Sequence, residues 1–163
     1  MKILFIVYFL SCGGWLPAQP INKKLYNPGA NAERDISDAV KKAKTENKNV
    51  FIQAGGNWCS WCLEFNRFCQ ADMQIDSLIK SDYVVYHLNY SPENENESIF
   101  ARYGYPQRFG FPVFLIVDGN GNRIHIQNSS YLEQGKSYNK RKLVEFLQQW
   151  NRKAVNPAEY KNQ

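Results

Sequence analysis

Residues 50–62 read Val-Phe-Ile-Gln-Ala-Gly-Gly-Asn-Trp-Cys-Ser-Trp-Cys and carry the strongest structural signal in the chain. The first five are apolar apart from Gln53 and are rich in β-formers, as expected for a buried strand. Two glycines and an asparagine then break the strand, and an amphipathic pattern begins near Trp58. The sequence therefore predicts two cysteines, Cys59 and Cys62, at the point where a strand gives way to a helix.

The spacing of these two cysteines predicts redox chemistry. The N–H groups at a helix N-terminus are unpaired, stabilise an anion, and lower the pKa of a thiol placed there. The thiolate is the attacking species in disulfide exchange. We therefore expect Cys59 to be the more exposed nucleophile that forms a mixed disulfide. Cys62, one turn into the helix, is expected to resolve that disulfide.

Two other uses of the cysteines remain as alternatives. A permanent bridge between Cys59 and Cys62 would close too small a loop to remove much unfolded-state entropy. A zinc site needs four ligands, and Cys69 lies about 10 Å further along a helix, too far to share one tetrahedral ion with Cys62. Cys69 is interpreted as a buried small hydrophobe rather than a third redox thiol. No metal and no cofactor are expected.

The rest of the sequence alternates helical and strand patterns. Helices are predicted from apolar residues spaced three and four apart: around residues 36–43, from Trp58, from Ser91 through Tyr103, and over 143–150. Strands are predicted from short β-rich or alternating runs: 50–54, 83–88, 112–117 and 124–126, with a hairpin turn at 118–121. The order αβαβαββα predicts one α/β domain with a mixed sheet covered by helices.

The N-terminal residues 1–18 are predicted to be a secretory signal peptide. Lys2 precedes a short apolar run that ends in small residues near Ala18, the expected cleavage site. The run is shorter than the roughly 20 apolar residues that span a membrane. The alternative is lipidation, because the residues ending at Cys12 resemble a bacterial lipoprotein box, which would place a lipid anchor at Cys12. Both readings predict a periplasmic or secreted domain.

The composition excludes several other classes of protein. The chain has 163 residues, of which 44% are hydrophobic, so it can form one ordinary core. Its formal charge of +5 comes from scattered residues, and no run of five or six like charges appears. Nucleic acid is therefore not an expected partner.

Together with residues 110–121, which begin Gly-Phe-Pro-Val, residues 50–62 resemble the thioredoxin superfamily. They are most similar to secreted bacterial thioredoxin-like proteins with a Trp-Cys-x-Trp-Cys site. The resemblance covers residues 33–152, the core of a thioredoxin-like domain over 19–163. It implies a thioredoxin-like fold, with a central mixed four-stranded sheet flanked by helices.

The resemblance also implies a substrate surface. The proline that corresponds to Pro112 is cis in the family and faces the two cysteines. The residue before it, Phe111, offers backbone hydrogen bonds to an extended substrate, as in strand addition. Trp58 and Trp61 flank the cysteines and are included in the expected substrate-binding surface.

Two positions depart from thioredoxin itself. Thioredoxin has a buried aspartate six residues before the first cysteine, where this chain has Gln53, which cannot titrate. Thioredoxin also has a lysine on the next strand near that aspartate, and the corresponding residue in this chain is His87. His87 is either a half-buried strand residue or a modulator of proton transfer at Cys62, since histidine titrates near neutrality.

The sequence therefore predicts an extracytoplasmic thiol–disulfide oxidoreductase that exchanges disulfides with protein thiols or disulfides. A membrane electron donor would make the protein a reductase, and an oxidase partner would make it an oxidant. The alternative is a non-catalytic thioredoxin-like binding module that holds an extended partner peptide beside Phe111 and Pro112. Gln53 favours this alternative, because it removes a titrating group from the pair.

Overall fold

The structure is a computed structural model that describes residues 24–161. The predicted signal peptide, its cleavage site at Ala18 and the alternative lipid anchor at Cys12 all lie outside the described residues. The predicted domain limits, 19–163, also extend beyond them and stay a prediction.

The described chain contains five helices and six strands, with three short 3₁₀ turns between or after them. The helices are α1 (Ala32–Thr45), α2 (Ser60–Ala71), α3 (Met73–Asp82), α4 (Glu97–Arg102) and α5 (Lys140–Gln149). The strands are β1 (Asn49–Gly55), β2 (Tyr83–Asn89), β3 (Val113–Val117), β4 (Arg123–Asn128), β5 (Glu133–Gln134) and β6 (Ser137–Tyr138). No described helix is long and apolar enough to cross a membrane.

Four strands form one mixed sheet in the order β2-β1-β3-β4. Strands β1 and β2 are parallel, and their register places Gln53 opposite His87. Strand β3 is antiparallel to both β1 and β4. The turn predicted at 118–121 joins β3 to β4, with the Gly121 amide donating to the Asp118 carbonyl at 3.0 Å. The predicted mixed four-stranded sheet is confirmed, and β5 and β6 form a separate small hairpin.

Helices cover both faces of the sheet, and every residue of the central strands β1 and β3 is therefore buried. One face packs against α1 and α4 through these residues: Ile36, Ala39, Ala43, Val50, Ile52, Ala54, Leu88, Ile99, Phe100 and Leu115. The other face packs against α2, α3 and α5 through these: Phe51, Phe65, Cys69, Ile75, Phe114, Ile116, Leu143, Phe146 and Leu147. Alternation along β1 therefore directs Gln53 to the face that carries α2.

The helical region after β1 differs from the single helix that the sequence pattern predicts. Asp72 has an extended backbone and ends α2. Its carboxylate accepts hydrogen bonds from the amides of Gln74 and Ile75 and so caps α3. A second helix therefore fits between β1 and β2. The predicted element order was wrong because it lacked this helix and the β5–β6 hairpin.

The helix expected from Ser91 begins later. Ser91 and Asn94 form an isolated antiparallel bridge, and α4 starts only at Glu97. The side-chain amide of Asn89 donates to the Ser91 hydroxyl and to the Asn94 carbonyl. These two hydrogen bonds hold the loop in place. The competing side-chain bonds explain why the polar segment does not join the helix.

Candidate functional site

The two cysteines lie at the N-terminus of α2. Cys59 is the N-cap residue, and its sulfur accepts a hydrogen bond from the Cys62 amide at 3.1 Å. The two sulfurs are bonded to each other, with the Cα atoms 5.2 Å apart. Cys59 is 5% exposed and Cys62 is fully buried. The geometry thus places the sulfur of the less buried cysteine at the amide end of the helix, where an anion is stabilised.

The turn that presents these cysteines depends on two glycines. A Cβ on Gly55 would press against the Cys62 sulfur, and one on Gly56 would press against the Trp58 ring. The Gly55 carbonyl accepts a hydrogen bond from the Tyr90 amide at 2.6 Å, which ties the turn to the end of β2. The missing side chains let α2 start close to the sheet.

Phe111 lies beside the two cysteines and precedes Pro112 in the chain. The peptide bond between Phe111 and Pro112 is cis, as the family resemblance implies. Phe111 packs against the same buried group as Cys59 and Cys62. Neither its amide nor its carbonyl makes a backbone hydrogen bond within residues 24–161. Both of its peptide groups therefore lack a backbone partner among these residues.

The two tryptophans occupy different surroundings. Trp58 is 58% exposed, meets the Phe111 ring edge-on at 5.7 Å between centroids, and donates its indole N–H to the Tyr90 carbonyl at 2.7 Å. Trp61 is half-buried and packs edge-on against Tyr138 of β6. Trp58 therefore presents an exposed ring beside Phe111, whereas Trp61 also contributes to the core below α2.

Gln53 and His87 lie side by side beneath the cysteines. The Gln53 amide is 2% exposed and donates to the Cys62 carbonyl at 2.9 Å. Burial lowers the pKa of His87 to about 4, so its ring is neutral at pH 7. No hydrogen bond to the His87 ring is found within the part of the chain that the structure describes. Gln53 thus holds the first turn of α2 and His87 brings no charge.

Cys69 is a free, buried thiol on the core face of α2. Burial raises its pKa, which disfavours the reactive thiolate. This agrees with its interpretation as a small hydrophobe. Among the described residues, no group of three or more His, Cys, Asp and Glu side chains could hold a metal ion.

An open cleft lies beside Trp58. This cleft of about 550 Å³ is lined by Trp58 together with Asn57, Tyr90 and the loop from Ser91 to Glu95. The cleft therefore borders the turn that precedes Cys59.

Sequence reasoning missed two residues that adjoin the pair. Tyr26 lies in the segment before α1 and packs directly against Cys59 and Cys62. The Asn57 side chain holds the backbone of Tyr26 in place. It accepts a hydrogen bond from the Tyr26 amide at 3.1 Å and donates one to the Tyr26 carbonyl at 2.7 Å. No local pattern marks these residues, because the contact joins segments 31 positions apart.

Comparison with known proteins decides the family. The model of a family described as thioredoxin-like matches residues 31–119, more than half of the chain. The chain belongs to the thioredoxin-like family. The matched region of this thioredoxin-like protein includes the Cys59–Cys62 pair, Gln53 and Pro112. The predicted thioredoxin-like fold is confirmed.

One curated relative of this thioredoxin-like protein is the thiol:disulfide interchange protein DsbD of Colwellia psychrerythraea. The two are 24% identical over 141 residues, which cover 80% of this chain and 23% of the relative. The chain thus spans about a quarter of the length of that relative.

Solved structures share the thioredoxin-like fold. The disulphide isomerase from Xylella fastidiosa Temecula1 has a TM-score of 0.69 at 19% identity, covering 78% of this chain and 97% of that one. A thioredoxin from Thermus thermophilus has a TM-score of 0.53 at 20% identity, covering 77% and 92%. The oxidised DsbD C-terminal domain of Neisseria meningitidis has 0.51 at 17%, covering 73% and 96%.

Proposed function

We propose that this protein is an extracytoplasmic thiol–disulfide oxidoreductase that exchanges disulfides with protein thiols or disulfides. The observation that carries the proposal is the position of Cys59, whose sulfur caps α2 and is bonded to Cys62. The relation to a thiol:disulfide interchange protein supports it. A permanent structural bridge would not need the sulfur of the less buried cysteine at a helix N-terminus.

The exchange can be written as two displacements. In the reductive direction the Cys59 thiolate attacks a substrate disulfide, forms a mixed disulfide and releases one substrate thiolate. Cys62 then loses its proton and attacks the Cys59 sulfur, which releases the second substrate thiolate and closes the Cys59–Cys62 bond. Two electrons pass to the substrate. The reverse sequence oxidises a substrate dithiol.

Phe111, Pro112 and Trp58 are proposed to hold the substrate. An extended segment of a partner would pair with the peptide groups of Phe111 and contact the exposed Trp58 ring. Trp61 is proposed to contribute through its exposed edge near Ser60. A membrane electron donor or an oxidase partner would use the same surface, and the choice between them sets the direction of flow.

The extracytoplasmic location is proposed from residues 1–18. The intact mass of the mature protein separates the two forms, because cleavage after Ala18 leaves an unmodified chain and lipidation adds acyl groups to Cys12. A full-length mass would contradict export through either route.

The activity is tested with Cys59→Ser, using Cys69→Ala as the matched control. We expect Cys59→Ser to abolish reduction of insulin disulfides and exchange with glutathione disulfide, because no attacking sulfur remains at the helix N-terminus. Cys69→Ala should keep the wild-type rate, since Cys69 lies in the core. Undiminished exchange by Cys59→Ser would overturn the proposal.

The second candidate function is a binding module without turnover, favoured by the non-titrating Gln53. Alkylation of the reduced protein with iodoacetamide near pH 6 separates the two candidates. A low-pKa Cys59 reacts faster than the cysteine of a model peptide, as catalysis requires. A rate no faster than that peptide's would favour the binding module.

A further inference from the structure

The Tyr26 hydroxyl is a buried polar group that the exchange scheme does not yet use. Tyr26 is 0% exposed, and its hydroxyl makes no hydrogen bond within the described residues. The neighbouring Gln53 amide offsets only part of the effect of burial, which raises the pKa of the Tyr26 phenol. An unpartnered buried hydroxyl is costly, so its position calls for a physical reason.

The hydroxyl lies next to the Cys62 sulfur. A Cβ on Gly55 would lie 3.0 Å from the Tyr26 oxygen and closer still to the sulfur, so the two atoms are less than about 6 Å apart. No side chain separates them at that point, because the residue between them is glycine. Rotation of the Cys62 side chain after the disulfide opens can therefore bring the sulfur within hydrogen-bond reach of the hydroxyl.

Tyr26 is held firmly in this place. The Asn57 side chain binds both backbone groups of Tyr26, and Asn57 itself lies two positions before Cys59. The Tyr26 ring packs edge-on against His87, with 5.7 Å between centroids. The segment before α1 and the cysteine turn thus form one unit.

In the described part of the chain, the side chains that face the hydroxyl carry no charge. Gln53 faces it from β1, neutral His87 from β2, and Tyr138 from β6, whose pKa burial raises. The Gln53 amide is bonded to the Cys62 carbonyl, and the Tyr138 hydroxyl to the Trp61 carbonyl. Among residues 24–161, the Tyr26 hydroxyl has no hydrogen-bond partner and lies on the Cys62 side of Gly55.

We propose that the Tyr26 hydroxyl donates a hydrogen bond to the Cys62 thiolate that forms when the Cys59–Cys62 disulfide opens. The proposal rests on the proposed exchange function. When a thiolate attacks Cys59, a new S–S bond forms there, the Cys59–Cys62 bond breaks, and its electron pair stays on the Cys62 sulfur. Tyr26 stabilises that charge and keeps its own proton throughout, because burial disfavours the phenolate.

The first test measures the pKa of Cys62 directly, without any substrate. In the Cys59→Ser variant, the ¹³Cβ shift of Cys62 is followed against pH, with and without Tyr26→Phe. We expect Tyr26→Phe to raise the pKa of Cys62 by about 1–2 units, the usual effect of one hydrogen bond to a charged group. The matched control is Tyr83→Phe, which removes a buried hydroxyl bonded to Leu147 instead. An unchanged pKa, or an equal rise in the control, would overturn the proposal.

The second test compares the two redox states. Tyr26→Phe should leave the melting temperature of the oxidised protein unchanged or higher, because the lost hydroxyl has no partner there. It should slow opening of the Cys59–Cys62 disulfide by glutathione at pH 7, because the leaving thiolate loses its donor. A merely structural role predicts a lower melting temperature and an unchanged opening rate. If the wild-type protein exchanges no disulfides with proteins but the pKa rise is found, the exchange function fails and the Tyr26 contact stands.

Discussion

Replacing Gln53 by glutamate places a titrating acid where the structure has a neutral amide. The side chain is 2% exposed and its amide donates to the Cys62 carbonyl at 2.9 Å. A protonated glutamic acid can still donate to that carbonyl, whereas a carboxylate cannot and is also buried. Desolvation therefore raises the pKa of the new carboxyl above its ordinary value of about 4.3, and documented shifts for buried carboxyls reach about 3–5 units.

The sign and size of the effect on stability follow from proton linkage. Below about pH 4 the carboxyl is protonated in both the folded and the unfolded state, and the variant keeps its full stability. As the pH rises, the unfolded state loses its proton first, so the free energy of unfolding falls until the pH passes the raised pKa. A shift of only about 2 units makes Gln53→Glu about 3 kcal/mol less stable at pH 8 than at pH 4, relative to wild type.

Urea unfolding of the oxidised protein between pH 4 and pH 8 measures this difference. The matched control is Gln148→Glu, an exposed position on α5 without a side-chain hydrogen bond among the described residues, where the difference should stay within about 0.5 kcal/mol. A pH-independent loss in Gln53→Glu would refute the reasoning, because it would show that the new carboxyl reaches solvent.

Two more outcomes follow from the packing around the pair. Gly55→Ala should lower the free energy of unfolding of the oxidised protein by about 1–3 kcal/mol, since the added methyl meets the Cys62 sulfur. The control is Gly29→Ala, whose methyl meets only Asn27 at 3.5 Å. Equal melting temperatures for the two variants would contradict the tight packing at Gly55. His87 should titrate near pH 4 in an NMR experiment. Because the pKa of His87 in the folded protein is below its unfolded value of about 6.5, the stability that His87 contributes is lost as the pH falls from 6.5 towards 4. A titration midpoint of His87 near 6.5 would instead show an exposed ring.

Some features were predictable because they depend on local sequence. The run from Val50 to Ala54 specifies a buried strand by composition, and the glycines after it specify a turn. The helix pattern begins directly at the cysteines, so that Cys59 as the N-cap follows from the order of elements. The break at Asp72 was missed, although an aspartate that caps the next helix is itself a local signal.

Other features of the site could not be derived from local sequence. The contact of Tyr26 with Cys62 depends on a bond between Asn57 and a backbone 31 residues earlier. His87 is neutral because the folded chain buries its ring, and burial lowers its pKa. The role of Gln53 as an anchor for α2 depends on the distance from β1 to the first turn of that helix.

The sequence by itself determined the strand, the glycine turn and the helix that begins at Cys59, because those patterns are set by neighbouring residues. It also predicted that the two sulfurs can pair, since two cysteines one helical turn apart can bond to each other. Only the tertiary structure decided which groups surround Cys62, because the first segment, β1 and β2 meet there after the chain has folded. Burial and hydrogen bonding between distant segments set the charge of those groups, and no local pattern encodes them.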